Sequence, residues 1–362
     1  LVGTQLLYAD TTFSPGPDTS LGLGRGDGGN PIGAFPGVSA FYTQQISSDI
    51  TLGMGLAGNF GLALDYDDDW VGRYYVREAE LLGVSLLPSI AYRVNEQFSV
   101  GASLNAMYGI FENKLAVNNI NPGIGDGSLK LDDKTWGWGA NLAMLYELNP
   151  DTRIGLTYTS EVDLDFTANT ELSNLGPVLE DRLASRGLLN ASLDLGITVP
   201  QTLMASVFHQ LDDKWALLGS VGWQDWSAFG QVAVTVNSDN PRSLTTDLPF
   251  RDTWHGAVGA QYQINQPWLL NFGIAYDSAY QKGSYVSPQL PGNAAWRLGI
   301  GGRQQVSESF HWGPAIEYSW GGDLDVNNVS TAPVALGGRG NLVGTYKNTY
   351  GLFFAANFGW NF

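Results

Sequence analysis

The chain holds three histidines, His209, His255 and His311, and no cysteine. Without thiols there is no disulfide framework, thiolate metal site or cysteine nucleophile. The histidines are scattered and lack the spacing of a metal site, and nothing in the sequence singles out a Ser–His or Asp–His pair for hydrolysis. Gly22-Leu23-Gly24-Arg25-Gly26 has the glycines of a phosphate loop, but neither Lys-Ser/Thr nor a helical pattern follows. Asp323, Asp325, Asn327 and Asn328 resemble a calcium loop that lacks its Gly and its distal Glu. Asp67-Asp68-Asp69 reads as a solvated loop tip. The formal net charge of −17 repels phosphate and excludes a nucleic-acid partner. No catalytic residue, metal site or cofactor is expected. The chemistry left is the burial of apolar matter.

The elements that would position such a site are strands. Charged residues are only 15 % of the chain, which carries 12 Trp, 16 Tyr and 16 Phe, so it is neither disordered nor an ordinary soluble domain. No run reaches the ~18 consecutive apolar residues of a membrane helix. Instead, apolar residues alternate with small or polar ones. Tyr350, Leu352, Phe354, Ala356, Phe358, Trp360 and Phe362 share one parity, against Gly351, Ala355, Asn357, Gly359 and Asn361. A period of two puts the two sets on opposite faces of a strand. The pattern recurs from Trp136 to Tyr146 and from Trp268 to Tyr276. These apolar faces begin and end in aromatic rings with aliphatics between, as a strand crossing a bilayer requires. A soluble sandwich has no reason for two aromatic ends.

Short turns at Gln45–Asp49, Asn95–Gln97, Asn149–Thr152, Leu211–Lys214, Asn265–Pro267 and Ser307–Ser309 alternate with long loops near 13–36, 65–77, 116–133, 168–195, 236–248, 279–293 and 322–343. Six turns and seven loops join 14 strands. The expectation is an all-β fold: one 14-stranded antiparallel transmembrane β-barrel over 1–362, multi-pass in a bacterial outer membrane. Both termini lie on the short-turn side, and the closed sheet satisfies its own backbone in lipid. The chain is read as a monomer.

A barrel this wide is not filled by its wall residues alone. The inward parity is mostly Gly, Ala, Ser and Asn, with Phe60, Met107, Phe111, Leu145 and Phe353 intruding. Either these line a site for a greasy ligand or they pack against inward-folded loops. Leu175, Val178, Leu179 and Leu183 suit one face of a short helix in the 168–195 loop. They form a capture groove or a small loop core. In the third strand, Gly58-Asn59-Phe60-Gly61 interrupts the alternation, and glycine inside a strand marks a bulge or bend. That bend is either a lateral gate or a bulge that tightens the wall.

The sequence resembles the FadL/TodX outer-membrane transporters of long-chain fatty acids and other hydrophobic compounds. The resemblance rests on Asn59-Phe60-Gly61-Leu62-Ala63 with Trp70-Val71-Gly72-Arg73-Tyr74, on Pro88 through Asn95, and on Trp136-Gly137-Trp138-Gly139 with Tyr146-Glu147-Leu148-Asn149-Pro150. It continues through Trp223-Gln224-Asp225-Trp226-Ser227, Phe250-Arg251-Asp252 and the closing Phe362. The resemblance implies passive uptake without covalent chemistry. Substrate is caught by extracellular loops, held in the lumen and released sideways at a kinked third strand. The partners are then hydrophobic small molecules and outer-membrane lipid. The family's N-terminal hatch is expected to be absent from this chain, since Leu1 already lies at the first strand. Lys114 and Arg251 are the nearest candidates for holding a carboxylate. A barrel enzyme acting on lipid, with one His paired to a Ser or Asp, and a general diffusion porin are the alternatives.

Overall fold

The computed structural model describes residues 1–121, 123–238, 242–243, 246–281 and 286–362, and only the backbone of Asn59, Arg242, Thr246 and Asp247. In chain order the main elements are β1 (Val2–Asp10), β2 (Gly33–Gln45), β3 (Ile50–Asp65), β4 (Glu78–Arg93), β5 (Phe98–Val117) and β6 (Gly127–Asn149). There follow β7 (Thr152–Thr159), β8 (Val162–Ser173), α1 (Pro177–Ala184), β9 (Ser192–Val199), β10 (Thr202–Gln210), β11 (Trp215–Gln224), α2 (Trp226–Phe229) and β12 (Gln231–Asn237). The chain ends with β13 (Thr253–Asn265), β14 (Trp268–Asp277), β15 (Ala295–Gln305), β16 (Phe310–Asn328) and β17 (Leu342–Trp360).

Fourteen of these strands close a barrel. From β1 to β7 each pairs antiparallel with the next; β7 pairs with β10, β10 with β11 and β11 with β13, and the ladder continues to β17. Closure is made by β17 on β1, from Val2 opposite Phe358 to Asp10 opposite Tyr350. All six expected tight turns fall between paired strands. The expected loops are shorter at three places, because β5 and β6 stay paired up to Val117 opposite Gly127, β16 and β17 up to Asn328 opposite Leu342, and β8 and β9 up to Asn169 opposite Ser192. In those extensions the period of two persists, with Leu131, Leu324 and Val326 buried, but the opposite face carries Lys130, Asp132, Asp323 and Asp325 and so gives no lipid-facing apolar signal.

The outward parity is an apolar belt. On β6, Trp136 is 54 % and Trp138 62 % exposed, while Gly137 between them is buried. Leu52, Leu104, Leu217, Val258, Leu298 and Phe354 continue the belt around the wall. A band of this extent is stable only against lipid.

On the long-loop side the loops bury against one another. Phe13 and Leu23, Trp70 and Val71, Val286, and Val326 with Leu342 form a shared core drawn from four separate connections. Tyr66 stacks on Trp70 with centroids 3.6 Å apart, donates its hydroxyl to the Pro288 carbonyl at 3.0 Å and lies 2.7 Å from the Tyr346 hydroxyl. Burial and the Tyr346 hydroxyl push the Tyr66 phenol well above its usual range. Above about pH 10 an unfolded chain would release a proton that this phenol keeps, so the stability of the loop core falls as pH rises and is unaffected below that point. Protease nicking of the loops is expected to rise above about pH 10, with a shallower pH dependence in Y66F.

Candidate functional site

Strands β7 and β10 do not run straight to the rim. The chain breaks at Ser160–Glu161 and at Pro200–Gln201, and β8 and β9 pair with each other beyond the breaks, Val162 opposite Val199. β12 adds to β9 as a third strand. This three-stranded flap leans inward. Its alternating sequence puts Val162, Leu164, Phe166 and Ala168 on one fully buried face and Asp163, Asp165 and Thr167 on an exposed one. The buried face lies over Gly109, Gly137 and Gly139 of the inner wall. A side chain at those glycines would collide with Val162, Leu164 or Phe166, so glycine is what allows the close approach.

The breaks are held by polar contacts. Tyr158 donates to Gln201 Oε1 at 2.9 Å, and Gln201 Nε2 donates to Asp225 Oδ2 at 3.0 Å. Asp225 also caps α2 and accepts from Ser227 Oγ at 2.7 Å. The hydrogen bonds from Ser227 and Gln201 hold its carboxyl below the usual carboxylate range. α2 thereby sets Phe229 against Phe250 at 6.1 Å and Trp226 against Tyr280 at 4.6 Å.

The result is an apolar cluster inside the bore. Met107 and Phe111 of β5 meet the flap, and the Phe111 and Phe166 rings lie 5.5 Å apart. Phe60 packs at its edge, 5.8 Å from Phe229 and 6.3 Å from Trp226. Both readings of the inward apolar residues meet here: the cluster is built partly from folded-in chain.

Phe60 stands where β3 leaves its neighbour. The β2–β3 ladder runs from Gln45 opposite Thr51 to Ser39 opposite Ala57 and has no further rungs among the described residues, although β3 continues to Asp65. On the other side β3 stays paired with β4 and shifts register between Gly58 and Phe60, so Asn59 is the extra residue of a bulge. The Asn59 side chain lies outside the described residues. Gly61 takes φ +154°.

The other sequence candidates are dispersed. Arg251 follows Phe250 directly, and its Nε donates to the Ala279 carbonyl at 2.9 Å. Lys114 is not at the cluster. It lies on the opposite parity of β5 from Phe111 and is tied to Glu78 at 2.6 Å. Leu145 and Phe353 face the lumen closer to the short turns, away from the cluster. Leu175, Leu179 and Leu183 are half-buried along α1 and its approach, and Val178 is exposed.

Below the cluster the bore turns polar. A hollow of about 450 Å³ borders Thr43, Thr51, Ser89, Ser103, Asn141 and Thr159. Another of about 820 Å³ borders Asn271, Arg297, Arg303, His311, Glu317 and Asn357. Sequence reasoning missed one constellation: Ser220 Oγ lies 3.4 Å from His255 Nε2, His255 Nδ1 lies 2.8 Å from Asp277 Oδ1, and Arg297 holds Asp277 at 2.7 Å. His255 and Asp277 are cross-strand partners far apart in sequence, which hid them. The backbone around Ser220 is paired on both sides, opposite Ser206 and Ala257, so the wall offers no free N–H pair for an oxyanion. Arg297 also reaches Glu317 at 3.8 Å, so its charge and that of Asp277 are paired within the wall.

A closed antiparallel barrel with an outer apolar belt and a loop cap is the architecture of an outer-membrane β-barrel protein. The chain belongs to the family described as Outer membrane protein transport protein (OMPP1/FadL/TodX), which residues 18–362 match. It is similar to outer membrane protein P1 of Haemophilus influenzae, 30 % identical over 266 residues that cover 66 % of this chain and 56 % of that protein. The chain thus spans just over half the length of that relative. It is also similar to the long-chain fatty acid transport protein of Escherichia coli K12, 25 % identical over 320 residues, 79 % of this chain and 71 % of that one. The fold matches a Pseudomonas aeruginosa FadL homologue with a TM-score of 0.85 at 19 % identity, over 100 % of this chain and 90 % of that one. It matches the P. putida toluene transporter TodX with a TM-score of 0.69 at 15 % identity, over 100 % and 89 %. These relatives are named as membrane proteins or transporters, and none as an enzyme.

Proposed function

We propose that the chain carries hydrophobic molecules, long-chain fatty acids or aromatic and alkane hydrocarbons, passively across the outer membrane. Molecules are caught at the loops around Leu175, Val178, Leu179 and Leu183, held in the cluster at Met107 and Phe111, and released sideways past Gly58, Asn59, Phe60 and Gly61. The observation that carries this reading is Phe60, which joins the apolar cluster to the end of the β2–β3 ladder. Straight passage would take the solute over the hydroxyl, amide and charged side chains of the lower bore. Each methylene leaving an apolar site for water costs about 0.8 kcal/mol, and leaving it for lipid costs almost nothing. Lateral release is the cheaper way out.

Uptake of labelled fatty acid and of toluene by cells with and without the barrel tests the reading; equal uptake of both solutes by both strains would end it. Low single-channel conductance separates this reading from an open diffusion porin. Arg251 has no acidic partner among the described residues and adjoins the cluster through Phe250. R251Q is therefore expected to slow fatty-acid uptake by roughly tenfold, the worth of one charge-assisted hydrogen bond, and to leave toluene uptake unchanged.

A further inference from the structure

The barrel wall is interrupted at a second place. The β6–β7 ladder stops at Asn141 opposite Thr159, and β6 is paired again, with β8, only from Asp132 opposite Asn169. Between these rungs, 133–140 of β6 face 160–168 without any ladder pair. The last backbone contact is Ser160 N–H to the Ala140 carbonyl at 2.9 Å, and at the other end Thr167 N–H donates to the Asp133 carboxylate at 2.6 Å. Because Ala140 presents its backbone to this edge, Lys134, Trp136 and Trp138 present theirs to it as well. No ladder rung takes them.

The interruption sits at the aromatic end of the apolar belt. Trp136 is 54 % and Trp138 62 % exposed on the outer face, and Tyr108 lies 5.0 Å from Trp136. Directly inside are Val162 and Leu164 of the flap, each essentially inaccessible, and behind them Met107 and Phe111. One layer of aliphatic side chains separates lipid from the cluster. The two interruptions also share a register line: Gly58 opposes Val84, Val84 opposes Tyr108, and Tyr108 opposes Trp136. They are the two edges of one four-stranded panel, β3 to β6, that the apolar cluster backs.

We propose that the β6–β7 interruption is a second lateral portal, through which apolar molecules dissolved in the outer leaflet reach the cluster when the β8–β9–β12 flap shifts on its breaks. The flap is suited to such movement because the sheet is discontinuous at Ser160–Glu161, Pro200–Gln201 and Asp225, where side-chain hydrogen bonds replace ladder rungs. The transport reading supplies the direction of traffic; the portal itself rests on the wall.

The chain has no cysteine, so a single V162C variant in lipid vesicles reports on the portal alone. A pyrene maleimide dissolved in the bilayer is compared with a charged, membrane-impermeant maleimide; L142C on the outer belt is the positive control, and heat-modifiable gel mobility reports folding. The expected result is labelling of V162C from the bilayer, faster than from water. L164C gives the same reading should V162C not fold. No labelling of either variant while L142C reacts, or labelling from water alone, would overturn the portal. Because the readout is chemical access, an unlabelled V162C in a barrel that still takes up toluene removes the portal and leaves the transport reading standing.

Discussion

Replacing Gly61 with Val is expected to cut uptake of apolar solutes by roughly ten- to a hundredfold while the barrel still folds. Gly61 adopts φ +154°, which side-chain-bearing residues rarely take. A Cβ there would stand 2.6 Å from Leu82 Cδ2 and 2.7 Å from the Leu81 carbonyl oxygen, and the carbonyl belongs to a paired strand that cannot move aside. The strained conformer costs about 1–3 kcal/mol, so the population shifts to a strand that runs straighter and lies closer to β2. Gly58 is the internal control. It has ordinary backbone angles, and a Cβ there meets no atom within 4 Å. G58V is expected to keep the bulge and the break in the β2–β3 ladder, so any uptake it loses reports obstruction of the gap and not straightening of the strand. The measurement is uptake of labelled fatty acid and toluene, normalised to the folded, heat-modifiable band. Parental uptake by a folded G61V would show that the bulge only shapes the wall.

The barrel was legible in the sequence for a physical reason: lipid on one side and a bore on the other force a period of two, and aromatic residues mark where the lipid ends. Trp136, Leu142 and Tyr146 carry that signal by type and spacing alone. The six tight turns were legible because Asn, Asp, Ser and Pro close hairpins whatever surrounds them. The flap was not legible. Val162, Leu164, Phe166 and Ala168 alternate like any membrane strand, and only the close approach to Gly109 and Gly137 reveals that they pack against the inner wall and not against lipid. The glycine-rich break in β3 was visible because glycine is a local signal. The Ser220–His255–Asp277 contact was not, since its members meet only through strand register. Lys114 shows the limit of proximity in sequence: three residues from Phe111 on a strand means the opposite face.

The second large effect is expected at Met107. This residue is 1 % exposed, touches the flap from β5, and covers Gly83, where a Cβ would stand 2.8 Å from the Met107 sulfur. M107D places a carboxylate among Val162, Leu164 and Phe166 with no cation in the cluster. An unpaired charge in such surroundings takes up a proton, so its carboxyl titrates well above the ordinary ~4. Above that point the charge draws water into the cluster and apolar solute loses its site. Binding of a fluorescent fatty acid is expected to weaken by roughly a hundredfold, the equivalent of about 3 kcal/mol. Lowering the pH neutralises the carboxyl and restores part of the affinity, a recovery that simple damage to packing would not produce. M107L keeps volume and polarity and costs under about 1.5 kcal/mol, so it holds the fold constant in the comparison. If folded M107D bound the probe as M107L does at every pH, Met107 would be wall packing alone, and the solute would have to reach Phe60 without crossing the cluster.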